Sequence, residues 1–137
     1  MKKNFKMSLT IILTSLLMVA IIPDVAEANF TATCRDINLR STSVTAECAN
    51  EQGNYSYTFI RLNRHVGRNQ DGHLIWQERG NFSRHCRHHR IIYDSRRNHT
   101  LLRGRCTLPN YIGYRTSELN LDERIFNQNG RLVYVAP

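Results

Sequence analysis

From residue 29 onward the chain says nearly the same thing twice. Asn29-Phe30-Thr31-Ala32-Thr33-Cys34 returns 52 positions later as Asn81-Phe82-Ser83-Arg84-His85-Cys86. Asn69-Gln70-Asp71-Gly72-His73-Leu74-Ile75-Trp76 returns 58 positions later as Asn127-Gln128-Asn129-Gly130-Arg131-Leu132-Val133-Tyr134. Between these blocks, Leu62-Asn63 and Val66 match Leu121-Asp122 and Ile125. The landmarks keep one order, so the region is a tandem duplication of about 50 residues, repeat one over 29–80 and repeat two over 81–137. A unit of that size buries too little surface to fold well alone, which predicts that the two copies intertwine around a shared core.

The growth of the offset from 52 to 58 falls between the cysteines, where the second copy has six more residues. Cys34, Cys48, Cys86 and Cys106 are even in number, and no two form a C-x-x-C metal or redox motif. Of the three pairings that four cysteines allow, the repeat favours the two local and equivalent ones, Cys34–Cys48 and Cys86–Cys106. Each closes a short loop, contributing about 3 kcal/mol on the chain-entropy model. Tyr55–Ile60 and His99–Cys106 are rich in aromatic, β-branched and alternating residues, and no apolar stripe holds helical spacing for three turns. The fold class read from this is all-β, in the main. Asp71-Gly72 and Asn129-Gly130 predict type I′ hairpin turns, and Leu62–Val66 and Leu121–Ile125 suit single helical turns.

Residues 1–28 stand apart from the repeats. Lys2, Lys3 and Lys6 precede an apolar run from Leu9 to Ile22, Pro23 ends it, and Ala26-Glu27-Ala28 supplies small residues at the positions a signal peptidase reads. The run is short of the roughly 20 residues that a spanning helix needs. The expectation is a signal peptide cleaved after Ala28, a secreted (extracellular or periplasmic) product and no membrane span after cleavage. Cleavage removes every lysine and leaves 16 Arg against 9 acidic residues, a formal +7. The positive charge is then all guanidinium, and a catalytic lysine is excluded.

The doubled N-F-x-x-x-C opening, the cysteine pair in each half, Leu-Asn before N-Q-D-G-H-L-I-W-Q, and the closing L-N-L-D-E-R-I-F-N-Q-N-G-R-L-V-Y together resemble the cyanovirin-N homology family. The resemblance covers residues 29–137 as one cyanovirin-N-like domain. It implies an elongated pseudo-symmetric β protein with a triple-stranded sheet and a β-hairpin per half, each half taking strands from both repeats. It also implies a lectin that binds mannose-rich oligosaccharides at a shallow pocket near each end, without a cofactor. Carried over by position, the first pocket comprises Asn29, Ala32, Thr33, Ala49, Asn50, Glu51, Asn127, Gln128 and Asn129. The second comprises Asn69, Gln70, Asp71, Asn81, Arg84, His85, Thr107, Leu108 and Asn110. Planar amides and carboxylates on a semi-rigid turn suit the vicinal hydroxyls of a sugar. Partners are then oligosaccharides or glycoproteins, and the chain is a monomer or a dimer swapped through the linker Gln77–Asn81.

Three other constellations carry reactive or charged side chains. His85-Cys86-Arg87-His88-His89 tempts a metal assignment, but on an extended strand His85 and His89 share one face while His88 points to the other, and Cys86 belongs to a disulfide. Arg84, Arg87, Arg90, Arg96, Arg97, Arg103 and Arg105 concentrate charge in the second copy. A charge run usually marks a solvated face; the functional alternative is a binder of anionic polymers, whether acidic or sulfated glycans or nucleic acid. Catalysis is disfavoured because the histidines are not equivalently placed in the two copies, and no G-x-S-x-G, H-E-x-x-H or Gly-rich phosphate loop occurs.

Overall fold

The computed structural model describes residues 29–110 and 112–137, so the segment read as a signal peptide lies outside the described residues. Each copy opens with a single helical turn (Phe30–Thr33, Phe82–Arg84) and continues into a three-stranded antiparallel sheet. The first sheet orders β1 (Cys34–Arg40), β2 (Ser43–Ala49) and β3 (Tyr55–Arg61); the second orders β6 (Cys86–Asp94), β7 (His99–Thr107) and β8 (Tyr114–Asn120). A 3-10 turn follows each sheet, Leu62–Arg64 and Leu121–Glu123, where single helical turns were expected. Two short hairpins complete the copies: β4 (Val66–Arg68) with β5 (Leu74–Trp76), and β9 (Ile125–Gln128) with β10 (Arg131–Tyr134). None of the described helices is long and apolar enough to cross a membrane.

The expected disulfides form. Cys34 lies directly opposite Cys48, and Cys86 opposite Cys106, at the same register position of the two sheets. The six extra residues of repeat two lengthen β6 and β7 to nine residues each, against seven in β1 and β2, and widen the turn between them.

The copies also exchange their hairpins. The Leu132 amide, in the hairpin of repeat two, donates to Thr58 Oγ1 in the sheet of repeat one at 3.1 Å. The Leu74 amide, in the hairpin of repeat one, donates to Ser117 Oγ in the sheet of repeat two at 2.8 Å. Thr58 and Ser117 are equivalent positions, two residues before Ile60 and Leu119. Burial follows the duplication as well: Phe30 and Phe82, Leu62 and Leu121, and Val66 and Ile125 are all at most 1% exposed. Full burial of each such side chain stabilises by about 1.5–3 kcal/mol, and no single copy owns enough of them for a core.

A polar tie fixes the crossover. Asp122, 2% exposed, accepts from the Thr31 amide at 3.1 Å and the Thr31 hydroxyl at 2.7 Å, and its Oδ2 also accepts the Thr100 amide at 2.7 Å. Asn63, its counterpart, accepts the Ser83 amide at 3.1 Å and donates to Ser83 Oγ at 2.8 Å. Each copy's opening turn is therefore held by the Leu-Asn or Leu-Asp turn of the other.

The two N-Q-x-G turns differ, which corrects one expectation. Asn129 and Gly130 both have positive φ, 49° and 90°, and sit between the paired residues Gln128 and Arg131, as a type I′ turn requires. At Asp71-Gly72 only the glycine has positive φ. There the Asn69 side-chain carbonyl captures the Asp71 and His73 amides at 3.0 and 2.9 Å, and the loop widens to the Asn69–His73 closure. In the other turn the Asn127 side-chain carbonyl takes a single turn amide, that of Gly130 at 2.8 Å, and the turn stays tight.

Replacing Asp122 by Ala orphans the buried Thr100 amide and the half-buried Thr31 amide and hydroxyl, and is expected to cost about 3 kcal/mol in urea unfolding. Asp122→Asn turns an NH₂ toward at least one of those donors and is expected to cost about 1–3 kcal/mol. Asn63→Ala, at a half-buried site, is expected to cost about 1 kcal/mol.

Candidate functional site

At one end of the molecule, Asn127 joins three chain segments. Its Nδ2 donates to Thr33 Oγ1 at 3.0 Å, in the opening turn, and to the Ala49 carbonyl at 2.9 Å, just after the second cysteine. Its Oδ1 accepts the Gly130 amide at 2.8 Å. Asn129 Oδ1 accepts the Glu51 amide at 3.1 Å, tying the turn after β2 to the hairpin of the other copy. Asn50 builds that turn from inside, its Oδ1 accepting the Gln52 and Asn54 amides at 3.0 and 2.9 Å. Gly130 is favoured here by its φ of 90°, and its backbone packs on the turn after β2, near the Cys48 carbonyl and Asn50. Exposed Ala32, Glu51, Gln128 and Asn129 and half-buried Thr33, Ala49, Asn50 and Asn127 thus converge on one shallow polar surface.

Asn29, assigned by position to this group, is directed elsewhere. Its Nδ2 donates to the Asn98 carbonyl at 2.8 Å, at the turn of the long β6–β7 arm. Nothing in the opening N-F-T motif signals this, because the contact depends on the six-residue lengthening of the other copy.

The opposite end uses the same segments with different chemistry. Gly72 packs against Leu108, where a Cβ would come within 2.8 Å of Leu108 Cδ2. The Thr107 amide donates to the His85 carbonyl at 2.9 Å, joining the opening turn to the end of β7. His85 stands where Thr33 stands in copy one, and its Nδ1 lies 3.1 Å from Arg68 Nη2. With the guanidinium as donor, Nδ1 is the acceptor. Arg115 Nε donates to the Asp71 carbonyl at 2.7 Å, holding the wide loop against β8. Arg68 directly precedes the Asn69 turn in the chain, whereas Arg115 carries no sequence signal for this end and reaches it from β8. Asn81, at φ 47°, turns its amide back onto the Arg79 carbonyl at 3.0 Å, and Gln70, Arg84 and Asn110 are exposed.

Burial, followed by the charges of Arg68 and Arg84, holds the His85 imidazole below its ordinary pKa. His65, stacked on Tyr134 at 4.1 Å, is lowered by burial and then by Arg64. The histidine cluster after His85 does not lie on a regular strand. β6 begins at Cys86, and a bulge between Arg87 and Arg90, with His88 at φ 52°, breaks the alternation that assigned His85 and His89 to one face. His89 instead meets the Phe82 ring edge-on at 5.3 Å. No group of three His, Cys, Asp or Glu able to hold a metal occurs among the described residues.

A family model described as the CVNH domain matches residues 30–133, a span that contains both end assemblies. The chain belongs to the CVNH family. Among solved structures, this CVNH chain is similar to the CVNH protein of Gibberella zeae, 28% identical with a TM-score of 0.71, over 80% of this chain and 99% of that one. It is also similar to a designed cyanovirin-N homolog lectin, 30% identical with a TM-score of 0.69, over 78% of this chain and 99% of that one. Microvirin, solved as a complex with mannobiose, is 29% identical with a TM-score of 0.66, over 78% of this chain and 98% of that one. Comparison with curated proteins gives no match.

Because the native imidazoles of His65 and His85 resist protonation, the unfolded chain binds more protons than the native one once the pH drops below about 6.5. Stability is therefore expected to fall as the pH is lowered from about 6.5 toward the native pKa values, with no contribution from these groups to a slope above about pH 7.5. Urea midpoints across that range check this, and His85→Gln is expected to flatten the slope.

Proposed function

We propose that this CVNH chain is a secreted lectin that recognises mannose-type oligosaccharides by non-covalent contact at its two ends, without catalysis or a cofactor. The observation that carries the reading is the Asn127 junction. One buried-side amide holds the opening turn, the post-cysteine turn and the N-Q-N-G hairpin at fixed distances, leaving Glu51, Gln128 and Asn129 presented on a preorganised surface. Rigid planar acceptors and donors bind vicinal hydroxyls with little ordering cost. The similarity to microvirin, whose structure holds mannobiose, supports mannose as the sugar. The second end, with His85 at the position of Thr33 and Arg68 bonded to it, offers a more cationic surface built on the same turns. Two ends on one chain give avidity on branched or clustered glycans. The Lys-flanked apolar segment and Ala26-Glu27-Ala28 support export.

Calorimetric titration with mannobiose tests the sugar assignment. Asn127→Ala is expected to weaken binding at the first end at least about tenfold, the equivalent of about 1.4 kcal/mol. Asn69→Ala does the same at the second end, and the double variant is expected to lose binding while keeping its fold by circular dichroism. Mannobiose affinity that is absent in the wild type, or unchanged in the double variant, sinks the proposal. Mass spectrometry of the exported protein is expected to find Asn29 at its N-terminus.

A further inference from the structure

The outer faces of the two sheets are built on one register with opposite electrostatics. In the first sheet Arg35 lies opposite Glu47, and the pair forms an ion pair at 3.0 Å. At the equivalent position of the second sheet Arg87 lies opposite Arg105, and after the bulge Arg90 lies opposite Arg103. Paired residues share a face, and 103 and 105 are two apart on β7, so all four guanidinium groups lie on one side. The carboxylate recorded among them is Glu118, bonded to Arg103. Arg90, Arg103 and Arg105, with His88 and Thr116, line an open groove of about 480 Å³.

Like charges directly opposite one another in a sheet destabilise it. Repeat one shows that this fold needs no such arrangement, since the same positions there hold Arg35, Asn38, Thr45 and Glu47. We propose that the outer face of the second sheet is a binding site for acidic polysaccharides, its arginine pairs taking sulfate or carboxylate groups along the chain. Arginine binds such oxyanions through two parallel hydrogen bonds. Nucleic acid fits this face less well because, among the described residues, the exposed aromatic ring beside these arginines is Tyr114 and Arg105 lies over it at 4.9 Å, where a base would stack. The site shares no residue with the two end groups and does not depend on the mannose reading.

The test measures dextran sulfate binding by the mature chain at two salt concentrations, with neutral dextran and a single-stranded oligonucleotide as comparisons. Dextran sulfate is expected to bind and to weaken steeply with salt, while neutral dextran does not bind. Arg105→Glu, which reproduces the Arg35–Glu47 pairing, and Arg90→Thr are each expected to weaken dextran sulfate at least about tenfold. Both variants are also expected to raise the thermal midpoint, by about 2–4 °C, as the repulsion is relieved. Mannobiose binding is expected to survive in both, and dextran sulfate binding to survive Asn127→Ala. Dextran sulfate affinity unaffected by either arginine variant overturns the proposal, as does an oligonucleotide that binds as tightly through the same residues. A lowered midpoint in both variants overturns the argument from repulsion.

Discussion

The buried carboxylate of Asp122 and the amide of its counterpart Asn63 hold this structure in its exchanged form. Each reaches across the boundary between copies to the residue after the buried phenylalanine of the other, Thr31 or Ser83. With those turns held, Phe30 and Phe82 are committed to one shared core. The hairpins can then lie only on the opposite sheet, through Thr58 and Ser117. The two anchors are not of equal strength. Asp122 satisfies two backbone amides and a hydroxyl, Asn63 one amide and one hydroxyl, and hydrogen bonds to a charged acceptor are worth roughly twice neutral ones.

The exchange is also what makes the ends of the molecule. Both N-Q-x-G turns meet segments of the other copy, so neither end exists in a half-molecule. At the first end the contact runs through asparagine and threonine and leaves neutral polar groups presented. At the second it runs through a histidine and an arginine, with the imidazole's pKa lowered by burial and then by its cationic neighbours. Duplication therefore supplied two scaffolds of one shape, and substitution at a few equivalent positions separated their chemistry. The outer sheet faces diverged further, to exposed Tyr55, Tyr57 and Phe59 on the first and paired arginines on the second.

Much of this was legible in the chain. The repeat predicted the disulfides, the shared core and the intertwining, because each follows from two copies too small to fold apart. Both 3-10 turns were legible in the four-residue spacing of Leu62 to Val66 and Leu121 to Ile125. The grouping of Thr33, Ala49, Asn50 and Glu51 with Asn127 and Asn129 followed from family resemblance, and their hydrogen bonds now give it a physical basis. Asn29 was misdirected because its partner, the Asn98 carbonyl, sits on an arm whose reach depends on the six inserted residues. The Asp71-Gly72 turn departs from type I′ where the Asn69 side-chain carbonyl captures two amides, those of Asp71 and His73, while Asn127 takes the Gly130 amide alone.

By itself the sequence determined what is local or repeated: the β content, the cysteine pairing, the apolar positions of the core and the turn residues. Those are set by side-chain type and spacing, and the duplication states them twice. Tertiary structure alone decided which groups face each other across strands. Strict alternation puts Arg87 and Arg90 on opposite faces of β6. The bulge at His88, one residue left unpaired with positive φ, brings them to the same face and sets each against a β7 arginine. Such a slip is fixed by the whole sheet's pairing, and no window of neighbouring residues contains it.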